Sequence, residues 1–325
     1  MCRWRVSGAA VLAVLLAGSL VLGTSPARGA KRLVFAVVPK AINNPFYNEV
    51  RRGCEDEARK LGVTCDFTGP TVTEIQPQMQ VLESLVQRHV DGMAIAPVDG
   101  KAAVPLIDSA MGKGIAVVTF DSDAAPGSKR LAFIGTDNYA GGVALGKQFA
   151  RALPGGGKYV IITGGLGAEN LNERIKGVHD GLKQAGVAAK FIEQSGSPFP
   201  CNDDVNRAVQ LIEQAIIAHP DLAGVVPVGG WPLFAPEAFK QALKPKTAAM
   251  AAGKFAIVSF DTLQQELQLL KAGYVSALVG QRPYEMGADS ILALNNYVTK
   301  KVKPQDPWHT GLDVVTKVNV AQFLK

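Results

Sequence analysis

Histidine and cysteine are scarce in this sequence of 325 residues, which contains four of each. The histidines stand in no metal-ligand spacing, so the sequence predicts no metal site and no cofactor. The patterns GxxxxGK(S/T), GxSxG and HExxH are also missing, which disfavours phosphate-loop nucleotide hydrolysis, the α/β-hydrolase mechanism and zinc proteolysis. Because no nucleophile is found beside a base, the sequence predicts a protein that is not an enzyme.

Charged residues make up only 19% of the chain, against 47% hydrophobic residues, and this composition excludes intrinsic disorder. The length favours two domains. The formal charge of +6 falls to about +3 when Arg3, Arg5 and Arg28 of the N-terminal segment are set aside. So small a charge, spread over the remainder of the chain, excludes the electrostatic footprint of a nucleic-acid-binding protein.

The long apolar run of this sequence lies at its N-terminus. Val11–Leu22 follows Arg3 and Arg5 and has about a dozen residues, too few to span a bilayer. Ala27 and Gly29 place small residues at the −3 and −1 positions of a cleavage site. The pattern predicts a signal peptide over residues 1–29 and export to the periplasm, and the alternative is an uncleaved membrane anchor.

Three cysteines remain once Cys2 leaves with the signal peptide. Cys54 and Cys65 lie on a predicted helix and on the strand after it, in an oxidising compartment where a disulfide persists. Closing so short a loop contributes about 3 kcal/mol in the chain-entropy description. The alternative is two small buried hydrophobic residues. Cys201 is left over, and we expect a buried thiol there.

After residue 31 the sequence alternates apolar runs of β type with amphipathic helical stretches. Near-continuous apolar strands separated by helices predict parallel sheets that are covered on both faces, so the fold class is α/β. The apolar runs are Leu33–Val38, Gly92–Ala96, Ile115–Phe120, Tyr159–Thr163, Leu222–Val228, Phe255–Phe260 and Val275–Val279, and the helical stretches include Pro45–Leu61, Glu74–His89, Tyr139–Leu153, Asn202–His219 and Pro283–Val298.

Two of these strands resemble each other. Ile115–Asp121 (IAVVTFD) and Phe255–Asp261 (FAIVSFD) both end in a Phe-Asp step, as expected of two similar α/β lobes. Ligands of parallel sheets bind beyond the carboxyl ends of the strands, so two facing lobes would bring both aspartates to one cleft. Each carboxylate accepts hydroxyl hydrogen bonds, as sugar recognition requires. The alternative is that each aspartate is a structural cap, and for Asp261 the residue Gln264 completes a capping-box-like pattern.

The segment Lys40–Tyr47 (KAINNPFY) follows the first of the predicted strands and opens the first helix. Asn44 and Pro45 are a good helix start, with Asn as N-cap and Pro in the first turn. A helix start does not require the two aromatic residues Phe46 and Tyr47 that follow. Aromatic rings stack on the apolar faces of sugars, while Asn and Asp bind the hydroxyls.

In order and at similar spacing, Asn43–Tyr47, Thr119–Asp121, Gly135–Asn138, His219–Asp221 and Gln281 resemble the ribose-binding family. These are the periplasmic substrate-binding proteins of sugar ABC importers (cluster B, type I fold), and the resemblance covers essentially all of the chain after the signal peptide. Each motif alone is weak, whereas the whole series is specific. The residues that the resemblance implies as cleft-lining ligand binders are Asn44, Phe46, Tyr47, Asp121, Arg174, Asp261 and Gln281.

The sequence departs from that family at four positions. Ser122 follows Asp121 where the family has Arg, and Asp203 stands near the place of a stacking Phe. Trp231 stands near the place of a family Asn, and we expect it to supply the lost aromatic face. Lys40 replaces a small polar residue, and we expect it to donate to a ligand oxygen or to pair with Asp121. The alternative is that Trp231 packs beneath the hinge and Lys40 points to water.

The fold that the resemblance implies has two Rossmann-like lobes with parallel sheets, joined by a hinge of three crossovers near Thr136, Gln281 and Leu312. The expected domains are a signal peptide at 1–29, an N-terminal lobe of 30–135 plus 282–312, and a C-terminal lobe of 136–281 plus 313–325.

The function that the resemblance implies is capture of a small neutral sugar or sugar-like polyol by hinge closure, and its delivery to the ABC permease of the inner membrane. We expect a periplasmic monomer without a nucleic-acid partner. In combination, Pro39–Lys40, Thr68–Thr71 and Asp121–Asp123 also resemble the branch that binds rhamnose or a furanose-type autoinducer. The alternative function is therefore a signalling receptor for an autoinducer or chemoattractant. A repressor would need a DNA-binding helix-turn-helix where the signal peptide stands.

Overall fold

The computed structural model describes residues 1–4 and 32–324. Most of the predicted signal peptide, including its cleavage site, lies outside the described residues. The chain divides into a short unit, Met1–Lys31, and a large unit, Arg32–Lys325, which carries the sheets and helices given below. In the part that the structure describes, no helix has both the length and the apolar character that a membrane crossing requires.

Strands and helices alternate along the large unit, as the sequence predicts. The strands are β1 (Val34–Val38), β2 (Thr64–Phe67), β3 (Gly92–Ile95), β4 (Ala116–Phe120), β5 (Phe133–Gly135), β6 (Gly157–Thr163), β7 (Phe191–Glu193), β8 (Phe199–Pro200), β9 (Leu222–Pro227), β10 (Ala256–Phe260), β11 (Ala277–Gly280), β12 (Trp308–His309) and β13 (Asp313–Thr316). The helices are α1 (Phe46–Leu61), α2 (Ile75–Gln87), α3 (Gly100–Gly112), α4 (Asn138–Ala152), α5 (Glu169–Gln184), α6 (Val205–Ala218), α7 (Pro236–Ala242), α8 (Thr247–Ala251), α9 (Gln264–Ala272) and α10 (Pro283–Lys300).

The first lobe is built on a parallel sheet with the strand order β12-β5-β4-β3-β1-β2. Alternate residues of β1 are buried on opposite faces. Phe35 and Val37 pack in the cluster that includes residues of α1 and α10, whereas Ala36 and Val38 pack with residues of α2 and α3. A strand that is covered on both faces has no polar side, which is why its sequence reads as one apolar run.

The second lobe repeats this order with its own strands, β13-β11-β10-β9-β6-β7, and β8 pairs with β6 beside that path. All of these strands are parallel except β13, which runs antiparallel to β11. In both sheets the strand that ends in Phe-Asp occupies the same place, β4 in the first and β10 in the second. The internal similarity in the sequence therefore corresponds to a repeated position in the fold.

Glycines on two neighbouring helices bring α4 and α5 close together. A Cβ at Gly142 of α4 would overlap the backbone of Arg174, and a Cβ at Gly177 of α5 would overlap the backbone of Tyr139. The contact needs residues without side chains on both helices, because backbone meets backbone there. It fixes α5, which carries Arg174, against α4, which in turn packs on β10 and β11.

The chain passes between the lobes three times. The first crossover lies between β5 and α4, the second between β11 and α10, and the third between β12 and β13. Thr136 and Gln281 stand in the first two crossovers, and the Thr136 hydroxyl donates to Gln281 Oε1 at 2.9 Å. These crossovers form the hinge that the resemblance implies. The exact domain limits given above stay a prediction.

The structure joins Cys54 and Cys65 by a disulfide with Cα atoms 6.0 Å apart, and Cys201 is a buried free thiol.

The helix predicted from Asn202 begins later, at Val205, because Asn202 and Asp203 have left-handed φ angles of 54° and 58° and form a turn. A helix cannot include two such residues.

Candidate functional site

The carboxyl ends of both sheets face one small cavity of about 30 Å³. The first lobe contributes the residues at the ends of β1 and β4 and the start of α1, while the second lobe and the hinge contribute the rest. All ten residues that the sequence predicts for ligand binding line this cavity: Lys40, Asn44, Phe46, Tyr47, Asp121, Arg174, Asp203, Trp231, Asp261 and Gln281. Asn170, Leu171, Gly229 and Phe234 complete the lining.

Asp121 is the centre of the hydrogen bonds on the side of the first lobe. Its Oδ2 accepts from the Tyr47 hydroxyl at 2.8 Å, and its Oδ1 accepts from Asn170 Nδ2 at 3.1 Å. Lys40 Nζ lies 3.4 Å from Asp121 Oδ2 and donates to Asn170 Oδ1 at 3.1 Å. Lys40 is only 3% exposed, so the alternative that it points to water is wrong. Asn170 belongs to the second lobe, and its amide therefore links the two lobes.

The two strand-ending aspartates share an uncommon backbone conformation. Asp121 has a φ of 58° and Asp261 a φ of 76°. Both values fall in the left-handed region, which residues other than Gly, Asn and Asp rarely adopt. Ser122 N–H turns back to the carbonyl of Phe120, so the chain reverses around Asp121 as it leaves the strand. This turn directs the carboxylate into the cavity instead of along the sheet.

Arg174 is the cation that the second lobe contributes to the cavity. Its Nε donates to Asn138 Oδ1 at 2.9 Å, and its Nη1 donates to the carbonyl of Val228 at 2.9 Å. Its Nη2 donates to Gln281 Oε1 at 2.6 Å, and its guanidinium carbon lies 4.1 Å from the ring centre of Phe260. With each nitrogen partnered and the plane on an aromatic ring, the guanidinium has a fixed orientation.

Asp261 and Gln281 form the hinge side of the cavity. Asp261 Oδ2 accepts from Gly230 N–H at 3.0 Å, and its Oδ1 accepts from Gln281 Nε2 at 2.7 Å. The helix that follows, α9, is capped instead by Glu266, whose Oε2 accepts from Leu263 N–H at 2.6 Å. The alternative that Asp261 caps this helix is therefore wrong. Gln281 connects Asp261 to Arg174, because its Oε1 accepts from the guanidinium.

Burial dominates the electrostatics of the site. It raises the pKa of Asp261 and of Asp203, the neighbouring Asp121 adds to both increases, and Lys40 opposes the increase at Asp203. Burial also raises the pKa of Tyr47 well above its ordinary value, so this phenol stays a hydrogen-bond donor. Burial lowers the pKa of Arg174, which the charges of Asp121 and Asp261 oppose. The lining thus combines two cations with three acidic groups.

Asp203 differs from the other two aspartates in its partners. Its Oδ1 has no hydrogen-bond partner among the residues that the structure describes, although it is shielded from water. A buried carboxylate oxygen without a partner carries a cost that a ligand donor can remove. Asp203 is therefore suited to accept a hydrogen bond from a molecule in the cavity.

Apolar side chains form the remaining walls, and Trp231 is the largest of them. It lies in a short turn after β9, is 5% exposed, and belongs to the core cluster of the second lobe. It also lines the cavity, and that its ring covers a ligand stays a prediction. Phe46 and Tyr47 meet edge to face, with ring centres 5.2 Å apart. Such rings offer flat apolar surfaces beside the polar groups.

Sequence reasoning missed Asn170, Leu171 and Phe234. The helical period offers a signal for the first of these, because Asn170 and Arg174 are four residues apart on α5 and share one face. No local signal distinguishes Leu171 or Phe234 from ordinary core residues. In the described part of the chain no cluster of three or more His, Cys, Asp or Glu side chains could hold a metal ion.

The size of the cavity bears on how a ligand enters. A space of about 30 Å³ holds little more than a water molecule. A sugar therefore needs more room than this arrangement of side chains leaves, and a hinge of three short crossovers permits the lobes to move apart. What the arrangement offers chemically is a set of acceptors, donors and ring faces, which suits binding of a neutral polyhydroxylated molecule.

Comparisons with known proteins agree with this geometry. The chain is similar to the D-allose-binding periplasmic protein of Escherichia coli (strain K12), with 29% identity over 298 residues that cover 88% of this chain and 91% of the relative. It is also similar to the ribose import binding protein of Bacillus subtilis (strain 168), with 28% identity over 269 residues that cover 81% of this chain and 82% of the relative.

The chain is also similar to solved structures of solute-binding proteins. An ABC transporter solute-binding protein from Burkholderia graminis C4D1M, in complex with D-arabinose, aligns with a TM-score of 0.79 and 34% identity over 91% of this chain and 99% of its own. A second one, from Agrobacterium vitis with bound D-fucose, aligns with a TM-score of 0.80 and 28% identity over 88% of this chain and 96% of its own.

The chain also matches the model of a whole protein family. The model of the periplasmic binding protein domain matches residues 35–301, from β1 to the end of α10. This range contains every residue that lines the cavity. The fold predicted from the sequence is confirmed, with its two α/β lobes of mostly parallel strands. This chain belongs to the periplasmic binding protein domain family.

Proposed function

We propose that this protein is the periplasmic solute-binding component of an ABC importer and captures one neutral monosaccharide, or a sugar-like polyol, between its lobes. The observation that carries the proposal is the cavity, where ten side chains predicted for sugar binding converge from both lobes. The relatives named above are described as binding allose, ribose, arabinose and fucose, which supports a monosaccharide of this size.

Each group of the cavity has a role in this function. The carboxylates of Asp121, Asp203 and Asp261 accept hydrogen bonds from ligand hydroxyls. Those of Asp121 and Asp261 are oriented by the hydrogen bonds described above. Lys40 and Arg174 donate to ligand oxygens, with charge-assisted hydrogen bonds that are stronger than neutral ones. The rings of Phe46 and Trp231 cover the apolar faces of the sugar.

Closure couples this binding to transport. A ligand that contacts both lobes binds the closed arrangement more tightly than the open one, and it therefore stabilises the closed state. The closed surface is then the form that the membrane permease recognises. The protein acts as an exported monomer and releases the sugar unchanged, since it is a carrier and no chemical step follows binding.

The proposal is tested with the protein expressed from Ala30. Isothermal titration with D-allose, D-ribose, D-arabinose, D-fucose and L-rhamnose should find at least one sugar that binds once per chain and is unaffected by a chelator. Asp261→Ala should weaken that binding more than about ten-fold, because an unpaired ligand hydroxyl costs about 1–3 kcal/mol. Asp221→Ala is the matched control, since its carboxylate is exposed and pairs with Lys158.

Two results would count against the proposal. Conversion of the bound sugar by the purified protein would establish an enzyme instead. The second result is that no sugar binds and native mass spectrometry of the purified protein finds a bound molecule that is not a sugar. It would refute a sugar as the ligand and would leave the fold unaffected.

A further inference from the structure

The lobes also touch at a place outside the cavity, through two glycines. Gly100 is the first residue of α3 in the first lobe, and Gly167 stands just before α5 in the second lobe. The N–H of Gly100 donates to the carbonyl of Gly167 at 3.1 Å. The N–H groups of a helix's first turn have no partner within the helix, so this donor is available for the other lobe. Neither glycine lines the cavity.

The space around these glycines is limited by the opposite lobe. A Cβ at Gly167 would overlap the Asp99 side chain and lie 2.7 Å from its Cγ. A Cβ at Gly100 would lie 2.8 Å from Glu169 Cγ. Neither residue has a left-handed φ, so backbone conformation does not explain why glycine stands at these positions. Close approach of the two lobes does explain it.

Asp99 is not free to make room. Its Oδ1 accepts from the N–H groups of Lys101 and Ala102 and so caps α3. The carboxyl group therefore stays beside Gly167 for as long as the lobes are closed. When the lobes separate, the overlap of a side chain at position 167 with Asp99 disappears, because the two residues belong to different lobes.

We propose that the Gly100–Gly167 contact is a closure contact that sets ligand affinity from outside the cavity. This inference rests on the proposed function and goes beyond it. A single methyl group at position 167 penalises the closed state and leaves the open state unaffected. Since the ligand binds tightly only in the closed state, its apparent affinity falls by the same factor as the closed population. Gly167 is thus a positioning residue, which does not touch the ligand.

The chain offers a matched control two residues away. Gly165 lies in the same loop, and a Cβ there would meet nothing within 4 Å. We expect Gly167→Ala to weaken binding of the sugar found for the wild type five-fold or more. We expect Gly165→Ala to change it less than two-fold. Gly100→Ala is a poorer test, because its Cβ would also lie 2.9 Å from the Asp123 carbonyl oxygen within its own lobe.

Two further measurements separate closure from ordinary loss of structure. The ligand-free Gly167→Ala protein should melt at the wild-type temperature, and small-angle scattering should show less compaction on adding sugar than in the wild type. Combining Gly167→Ala with Asp99→Ala removes the overlapping carboxyl group and leaves only the Cβ of residue 99, at 3.1 Å. This double variant should regain most of the lost affinity, at some loss of stability from the missing cap. If Gly167→Ala does not fold, Asp99→Glu crowds the same contact from the other lobe and should weaken binding in the same way.

The outcomes are distinct. A wild type that binds sugar, beside a folded Gly167→Ala variant with unchanged affinity and compaction, overturns the closure contact and leaves the proposed function standing. A double variant that binds no more tightly than Gly167→Ala alone also overturns it, because the overlap with the Asp99 carboxyl group would not be the cause. A wild type that binds no sugar would instead overturn the proposed function.

Discussion

Replacing Asp121 by asparagine tests the polar centre of the cavity with little change of shape. Asparagine tolerates the left-handed φ of 58° at this position, so the turn after β4 is kept. The substitution removes a charge and leaves Lys40, which is 3% exposed, without the carboxylate 3.4 Å away. The variant therefore measures what the buried ion pair contributes to stability and to ligand binding.

The size of the effect follows from the geometry. At 3.4 Å and an effective dielectric constant of about 20, the attraction between the two charges is about 5 kcal/mol. Removing one member of a buried pair costs about 3–5 kcal/mol, because the remaining charge stays desolvated. The charge of Asp203 still acts on Lys40. We therefore expect the free energy of unfolding to fall by about 3 kcal/mol, at the lower end of that range.

Urea denaturation of the ligand-free protein at neutral pH measures this loss, and isothermal titration measures the affinity for the sugar. The matched control is the double variant Lys40→Met with Asp121→Asn, in which neither charge remains. It should recover most of the lost stability, because no unpaired buried charge remains once Lys40 is also replaced. It should still bind the sugar at least ten-fold more weakly than the wild type, because the ligand loses the charge-assisted hydrogen bonds of Lys40 and Asp121.

Unchanged stability of Asp121→Asn would refute this reasoning, since Lys40 would then have found water or another partner. A double variant as unstable as the single one would refute it as well, because the isolated charge would not be the cause.

Three further predictions concern other parts of the molecule. Burial raises the pKa of Glu266 well above its ordinary value. The protonated side chain therefore contributes its whole stabilisation below the unfolded-state pKa, about 4.3, and this stabilisation is lost as the pH rises through the folded-state pKa. Glu266→Gln should therefore gain stability relative to the wild type as the pH increases from 4 to 8 in thermal unfolding, and a constant difference would contradict it. Replacing Cys54 and Cys65 by alanine should lower the free energy of unfolding by about 3 kcal/mol without changing sugar affinity, since the bridge joins α1 and β2 outside the cavity, and an affinity loss would contradict that placement. Trp231→Leu should abolish the fluorescence change on adding sugar, weaken binding, and lower the melting temperature because the ring is 5% exposed, whereas Trp308→Phe should keep the fluorescence change.

The stability expected for Trp231→Leu shows where the sequence alone is insufficient. Glycines before Trp231 and a proline after it indicate a turn at a strand end, and they favour a ring that only covers the ligand. The structure buries the ring in the core of the second lobe and also places Trp231 in the lining of the cavity. Such a double role depends on packing between elements that are distant in the chain, and local pattern does not encode it.

Local sequence determined much of this protein. Uninterrupted apolar runs between amphipathic stretches specify parallel strands covered by helices, because a strand buried on two faces has no polar side. The Phe-Asp steps at Asp121 and Asp261 and the segment around Asn44 specify the polar edge, because the carboxyl ends of parallel strands meet on one side of a sheet. These are short-range signals, and their consequences follow from the rules of the fold.

Only the tertiary structure decided which of these groups meet. Asp261 and Gln264 look like a helix cap in the sequence, yet Asp261 accepts instead from Gly230 and Gln281, which lie in other segments of the chain. Asn170 has no motif of its own, and it links the lobes because α5 brings it to Lys40 and Asp121. The contact between Gly100 and Gly167 is likewise set by the relative position of two lobes, since the hydrogen bond and the lack of space for a side chain both depend on residues far apart in sequence.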